Sequence, residues 1–238
     1  MEMRCNYVTW TKEFSIKNID LDRQHEIIFQ VANDIFYTVH KLQQELSQQQ
    51  YEEYKKELKK ITIQLFNYIK THFADEEKFM KEIGFPLFEE HRKAHIELTN
   101  RAKILLNYSS DVKKFSTELQ TLINNFIIKH FVTEDMYIAD FIHRALNVGE
   151  VPLNLNQYIM IKSLEKEDIY NEKTYDYVCS CSLENITKVP QSIHEELENE
   201  GKLMKCSNCG GILVFVGEDL NLKENYEQIK EKFLSIKN

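Results

Sequence analysis

Five histidines in this chain of 238 residues occupy positions where apolar residues are expected. They follow the three- and four-residue spacing of neighbouring leucine, isoleucine and phenylalanine residues, and they are His25, His72, His91, His95 and His130. A buried imidazole without a partner costs about 1–3 kcal/mol. A single histidine of this kind is usually a hydrogen-bonded core residue, but five on converging helix faces indicate a shared partner.

Two acidic residues accompany these histidines. Glu76 follows His72 by four residues and therefore lies one turn along the same helix face. Asp135 follows His130 by five residues, which places it about 140° around a regular helix. We therefore predict distorted helical hydrogen bonding within residues 127–136, such as a π-bulge. Taken singly, Glu76 also fits an exposed acidic run, and Asp135 also fits the surface.

Five imidazoles and two carboxylates indicate a metal centre of a particular kind. Seven ligands exceed the four that tetrahedral zinc takes, and they contain too much nitrogen for calcium or magnesium. Imidazole and carboxylate ligands suit iron, with manganese as an alternative. Two ions bridged by the carboxylates would use all seven ligands, and the carboxylates would offset part of the buried positive charge.

Long helices must position these residues. The chain has only six glycines and three prolines, which favours long helices and few turns. Apolar periodicity predicts four amphipathic helices between residues 19 and 146 with short connections, the pattern of an up-down-up-down four-helix bundle. The predicted fold is mainly α, with this bundle followed by a small C-terminal α+β module.

The chain changes character after the fourth helix. We expect the bundle within residues 1–146, a connecting segment over 147–173 and a four-cysteine module over 174–238. The elements predicted within the module are strands at 174–178 and 212–216, a short helix between Ser192 and Gly201, and a final helix over 222–236.

Composition restricts the partners and the location. The net charge of −8 argues against nucleic acids and anionic membranes as partners. No apolar run reaches the roughly 20 residues of a membrane span, and the N-terminus lacks the apolar core of a secretory signal. We therefore expect a cytoplasmic protein.

The segments that contain the candidate ligands resemble those of the hemerythrin family, specifically its bacterial members. The matching positions extend over about residues 8–146 and are Trp10, Ile19-Asp20-Leu21-Asp22-Arg23-Gln24-His25, His72-Phe73-Ala74-Asp75-Glu76-Glu77, Met80, Gly84-Phe85-Pro86, His91-x-x-x-His95 and His130-x-x-x-x-Asp135. The resemblance implies two iron ions, one bound by His91, His95 and His130 and the other by His25 and His72 alone. Glu76 and Asp135 would bridge the two irons together with a solvent-derived oxo or hydroxo group.

The resemblance also implies a function, which is reversible binding of O2 at the open coordination position of the second iron. Candidates for an apolar wall of the oxygen pocket are Phe126, Ile127 and Phe131, although a plain core role explains these residues equally well. Asp22 and Gln24 are candidates for orienting the imidazoles, with a solvated helix N-terminus as the alternative.

Four of the five cysteines form two close pairs, Cys179-x-Cys181 and Cys206-x-x-Cys209. Such pairs in a cytosolic chain are typical of metal ligands rather than disulfides. The second pair resembles a zinc-ribbon or rubredoxin knuckle, whereas the first pair has one residue fewer than that pattern. We predict a tetrahedral thiolate site for zinc, with iron as the alternative. His194 is a further ligand candidate, or a surface residue of its short helix.

The primary functional hypothesis is a non-heme di-iron protein that binds O2 for storage, delivery or sensing, without acting as an enzyme. One alternative is a di-iron reductase of peroxide, O2 or nitric oxide fed by a four-cysteine iron site. Oxidase-type bundles use a Glu-x-x-His motif, and its absence from this sequence disfavours that alternative. The other alternative is an iron or redox sensor that signals through the C-terminal module.

The C-terminal module also has a charge that restricts its partners. Residues 151–238 hold 15 Asp and Glu residues against 10 Lys residues, a formal charge of −5. Zinc ribbons that bind nucleic acid need a basic surface, which this composition does not provide. A protein partner bound through the module is therefore the remaining candidate.

Overall fold

Three long helices and one interrupted helical rod form the first part of the chain. The structure, a computed structural model, describes residues 8–108, 110–147, 153–179 and 181–217. The three continuous helices are α1 (Ile19–Leu42), α2 (Gln48–Ile83) and α3 (Phe88–Leu105). The side chain of Asn18 starts α1 by accepting hydrogen bonds from the backbone N–H groups of Asp20 and Leu21, as an N-cap residue does.

The fourth rod, residues 112–147, changes its hydrogen-bonding pattern along its length. It consists of α4 (Val112–Leu122), a π-helix (Ile123–Ile128), α5 (Lys129–Thr133) and α6 (Met136–Asn147). Between α5 and α6 the backbone N–H of Asp135 donates to the carbonyl of His130 over 3.3 Å, a five-residue spacing. The distortion predicted within residues 127–136 is therefore confirmed, and it begins one turn earlier as the π-helix.

The four rods pack around one hydrophobic core. Its buried members come from every rod, including Ile35 of α1, Leu65 of α2, Leu98 of α3 and Leu119 of α4. Val39, near the end of α1, and Leu58, near the start of α2, belong to this same core, as expected for consecutive antiparallel helices. The predicted four-helix bundle is confirmed.

The chain folds as two separate units. The first comprises the chain up to Lys81 together with Phe85–Phe141, and the second comprises Glu82–Gly84 and the chain from Ile142 onward. Among the helices that the structure describes, none is both long and apolar enough to cross a membrane.

The second unit contains a small antiparallel sheet and short helices. Its elements are α7 (Leu155–Ser163), a 3-10 turn (Glu167–Asn171), β1 (Thr174–Cys179), β2 (Ser182–Pro190), α8 (Gln191–Glu200) and β3 (Leu213–Gly217), and the strand order is β2-β1-β3. The predicted strands and short helix are confirmed as β1, β3 and α8. Strand β2 was not predicted. The final helix predicted over 222–236 lies outside the described residues.

The segment 147–173, which we expected to connect the two parts, contains folded structure. Helix α7 begins with a capping box, in which Asn154 and Gln157 exchange side-chain and backbone hydrogen bonds. Leu155, Tyr158 and Ile161 of this helix are buried. Because these side chains are buried on folding, the segment is a structural part of the second unit over most of its length.

Replacing Leu65 with alanine tests the importance of the bundle core. Leu65 is 1% exposed, so Leu65→Ala should lower the free energy of unfolding by about 2–5 kcal/mol. Ile63 lies on the same helix and is 46% exposed, so Ile63→Ala should change it by less than about 0.5 kcal/mol. The fluorescence of Trp10, the single tryptophan, reports on this unit because its ring packs against the core. Equal effects of the two substitutions would contradict the described packing.

Candidate metal centre

The seven candidate ligands converge inside the bundle. His25 and the pair His91 and His95 lie in the N-terminal parts of α1 and α3. His72 and Glu76 lie in the C-terminal part of α2, and His130 and Asp135 in the C-terminal half of the fourth rod. Because consecutive rods alternate in direction, these four regions meet at one level of the bundle. All seven residues are at most 4% exposed.

The ligand atoms form two groups that share a carboxylate. The three-histidine group consists of His91, His95, His130 and Glu76, and the two-histidine group consists of His25, His72, Glu76 and Asp135. Within each group, the candidate ligand atoms lie within 4.8 Å of one another. Two positions for cations therefore lie side by side, and one of them has fewer imidazoles than the other.

The two carboxylates face both groups. Oδ1 of Asp135 lies 3.1 Å from Nε2 of His130, while Oδ2 lies 3.4 Å from Nε2 of His25. Oε2 of Glu76 lies 3.1 Å from Nε2 of His91 and 3.0 Å from Nε2 of His95. Asp135 thus faces a histidine of each group. Glu76 contacts two histidines of the three-histidine group and also belongs to the two-histidine group.

The buried carboxylate oxygens and imidazole nitrogens of the site are better placed to bind cations than to form hydrogen bonds with one another. Oε1 of Glu76 and both carboxylate oxygens of Asp135 are buried without a hydrogen-bond donor. Nε2 of His25 faces Nε2 of His72 over 3.2 Å, and the same nitrogens of His95 and His130 face each other over 3.1 Å. Unsatisfied buried carboxylate oxygens are costly. Bound cations would satisfy both the oxygens and the nitrogen lone pairs.

Comparison with known proteins agrees with this geometry. Residues 19–142 match the hemerythrin HHE cation binding domain, which is more than half of the chain. The chain belongs to the hemerythrin family. Membership of this family supports the binding of a pair of non-heme iron ions by the bundle.

Several hemerythrin relatives are bacteriohemerythrins. The protein of Campylobacter jejuni is 30% identical over 131 residues, which cover 55% of this chain and 91% of the relative. That of Stenotrophomonas maltophilia is 24% identical over 59% of this chain and 84% of the relative. That of Clostridium acetobutylicum is 22% identical over 55% of this chain and 98% of the relative. No solved structure shows a significant match.

One of the three candidate pocket residues of this hemerythrin lies directly beside the two-histidine group. The ring centroid of Phe131 lies 4.7 Å from that of His25 and 5.5 Å from that of His72. Ile127 is buried in the hydrophobic core of the bundle. The side chain of Phe126 lies outside the described part of the structure. An apolar ring therefore borders the group that has fewer imidazoles.

Two side chains hold the imidazoles in position from outside. Oε1 of Gln24 lies 3.0 Å from Nδ1 of His72, and the Gln24 amide nitrogen donates to Asp75 over 2.9 Å. Oε1 of Glu77 lies 3.1 Å from Nδ1 of His95. Each oxygen accepts the Nδ1 proton, which leaves the Nε2 lone pair free for a metal.

The sequence proposed Gln24 for this role but did not single out Glu77. Glu77 adjoins Glu76 in an acidic run, and only its position opposite His95 distinguishes it from an exposed residue. Asp22, the other candidate, instead accepts hydrogen bonds from Ser15 Oγ and the backbone N–H of Ile16. It therefore orders the chain that enters α1.

Burial keeps the imidazoles in the state that binds metals. It lowers the pKa of His72 to about 3 and also lowers the pKa values of His25 and His130. Burial by itself raises the pKa of Glu76, but its contacts with the His91 and His95 rings outweigh burial and hold that pKa well below its usual range. Burial, with the adjacent Glu76 charge, raises the pKa of Asp135 well above its usual range.

A separate group of side chains lies in the second unit. The four sulfur atoms of Cys179, Cys181, Cys206 and Cys209 lie within 4.8 Å of one another. His194 is not part of this cluster. Its ring instead stacks on Tyr175 with centroids 3.8 Å apart and is half-buried. The ring of His194 thus lies apart from the four sulfurs and is partly exposed on α8.

The stability of the metal-free protein should depend on pH. His25, His72 and His130 have lowered pKa values when folded, so unfolding takes up protons below about pH 6.5 and becomes easier as the pH falls. Asp135, whose pKa is raised, acts in the opposite direction but is one group against three. The unfolding temperature, followed by Trp10 fluorescence, should fall from about pH 7 to about pH 5. His72→Leu should weaken this dependence and His40→Ala should preserve it, whereas a temperature that rises toward acid would contradict the burial of neutral imidazoles.

Removing the acceptor at residue 77 should weaken metal retention. Glu77→Leu leaves the Nδ1–H of His95 without its acceptor, so iron should dissociate about 10–100-fold more readily during dialysis against a chelator. Glu77→Gln keeps an acceptor oxygen and should lose less iron. Glu57 lies on the same helix with a half-exposed side chain, so Glu57→Leu is the matched control. Identical iron contents for Glu77→Leu and this control would show that Glu77 does not position His95.

Proposed function

We propose that the bundle binds O2 reversibly at a pair of iron ions held by the seven buried ligands. In this proposal His91, His95 and His130 hold one iron, and His25 and His72 hold the other. Glu76 and Asp135 would complete the ligand set of the iron pair. The observation that supports this assignment is the division of the ligand atoms into two groups with unequal numbers of imidazoles.

The unequal numbers of imidazoles make the two proposed iron positions chemically different. When bound, the iron pair would supply the redox chemistry of oxygen binding, and the two-histidine group offers one imidazole fewer than the three-histidine group. The protein contributes neutral imidazoles, because burial lowers the pKa values of His25 and His72. It also contributes two carboxylates that offset the positive charge of the ions.

The Phe131 ring is an apolar neighbour of the two-histidine group. It contacts the rings of His25 and His72 and stacks with Phe29, whose centroid lies 5.8 Å away. Both phenylalanines are buried. Apolar side chains at this point exclude water, which would favour reversible binding over irreversible oxidation of the irons.

The O2-binding proposal uses none of the four cysteines in the second unit. These four cysteines form no disulfide, which is typical of reducing compartments, and we propose a cytoplasmic location on that basis.

Visible absorption of the full chain provides the test. Protein reduced without air should gain an absorption band on exposure to O2 and lose it under vacuum, over several cycles, with two irons per chain in the bundle. Conversion to a stable oxidised spectrum that vacuum does not reverse would contradict reversible binding. Sustained O2 consumption with an added electron donor would favour the reductase alternative instead.

Substitutions on one helix connect this spectrum to the assigned ligands. His25→Ala removes one of only two imidazoles at the proposed O2-binding iron, so the oxygen-dependent band should disappear. His40 lies on the same helix outside the site and forms a hydrogen bond with Gln44, so His40→Ala should retain the band. A retained band in His25→Ala, with unchanged iron content, would contradict the ligand assignment.

A further inference from the structure

The four cysteines of the second unit meet although they come from separate parts of the chain. Cys179 ends β1 and Cys181 lies in the turn that leads to β2, whereas Cys206 and Cys209 lie in the loop before β3. We call residues 206–211 the cysteine loop. All of these residues lie beyond residue 142, where the match to the hemerythrin domain ends.

The sulfur spacing fits a tetrahedral metal site. Sγ of Cys179 lies 3.5 Å from Sγ of Cys209, and Sγ of Cys181 lies 3.9 Å from Sγ of Cys206. A disulfide would require about 2.05 Å. Four thiolates at the zinc–sulfur distance of about 2.3 Å lie about 3.8 Å apart at the corners of a tetrahedron. The observed distances are close to this value.

The cysteine loop directs hydrogen-bond donors toward the sulfurs. The backbone N–H of Asn208 donates to Sγ of Cys206 over 3.4 Å, and that of Gly211 donates to Sγ of Cys209 over 3.3 Å. The side-chain amide of Asn208 donates to Sγ of Cys181 over 3.6 Å. Such donors stabilise thiolates, which are the form that binds a metal.

Gly211 allows the loop to approach the cluster closely. A Cβ atom at this position would lie 3.2 Å from Sγ of Cys209 and 3.4 Å from Sγ of Cys179. A side chain at this position would therefore press on Sγ of Cys209 and come into contact with Sγ of Cys179. The loop is shaped around the space between the sulfurs, and that space is where an ion would lie.

We propose that Cys179, Cys181, Cys206 and Cys209 bind one zinc ion that holds the cysteine loop against the turn between β1 and β2. Zinc and iron both accept four thiolates, but zinc binds a given site more tightly than ferrous iron. Structural zinc sites use four protein ligands and leave no open position. A three-stranded sheet with two short helices has a small core, and such units commonly depend on a metal.

The ion would also support the start of α7 through the cysteine loop and the residue before it. The backbone N–H of Leu155 donates to the carbonyl of Lys205 over 3.0 Å, and that of Asn156 donates to Oγ of Ser207 over 3.3 Å. Oγ of Ser207 in turn donates to Oδ1 of Asn154 over 3.2 Å. Because these bonds connect the helix to residues beside Cys206, loss of the zinc should loosen α7 as well.

Metal analysis of the full chain and one substitution tests the proposal. Cys209 is exposed, so Cys209→Ser should fold and should lose the one zinc per chain that the unmodified protein contains. The fifth cysteine provides the control, since Cys5→Ser should retain that zinc. Iron content and the oxygen-dependent band should be equal in all three proteins, which separates this proposal from the function of the bundle.

Two further measurements make the result decisive. Cobalt in place of zinc should give the absorption of tetrahedral cobalt thiolate in the unmodified protein and not in Cys209→Ser. Hydrogen exchange of the amides in α7 should accelerate when zinc is removed. Equal zinc contents in Cys209→Ser and Cys5→Ser would overturn the proposal, as would disulfides among the four cysteines or iron in place of zinc in the unmodified protein.

Discussion

The burial of two carboxylates among five imidazoles is the constraint on which the rest of the bundle depends. Glu76 and Asp135 are fully buried, and three of their four oxygens have no hydrogen-bond donor. Without cations, burial and the charge of Glu76 raise the pKa of Asp135 well above its usual range. Cations held by the two histidine groups would satisfy these oxygens and so would also support the packing of the bundle.

The fourth rod shows how the backbone accommodates this requirement. A regular helix would direct His130 and Asp135 about 140° apart. The five-residue hydrogen bond from the backbone N–H of Asp135 to the carbonyl of His130 widens the helical turn between these two residues. As a result, the Asp135 oxygens reach both His130 and His25. The irregular segment therefore allows two candidate ligands five residues apart to reach the same site.

The bundle and its seven converging residues could be predicted because both follow from the spacing of residues along single helices. Apolar spacing defines the helix faces, and polar residues on those faces then identify the site. The role of Glu77 could not be predicted, since it depends on the position of α3 relative to α2. Strand β2 was missed because its apolar residues Leu183, Ile186 and Val189 recur every three residues, which differs from strand alternation. Helix α7 was missed because its apolar residues at 158–161 form a continuous run instead of the three- and four-residue spacing of an amphipathic helix.

Anomalous diffraction at the iron absorption edge, from crystals of the full chain purified in air, tests the central claim most directly. The account predicts two iron peaks inside the bundle, one at the three-histidine group and one at the two-histidine group, with Glu76 and Asp135 in contact with both. A single peak, or two peaks away from these carboxylates, would contradict the assignment of seven ligands to a di-iron centre.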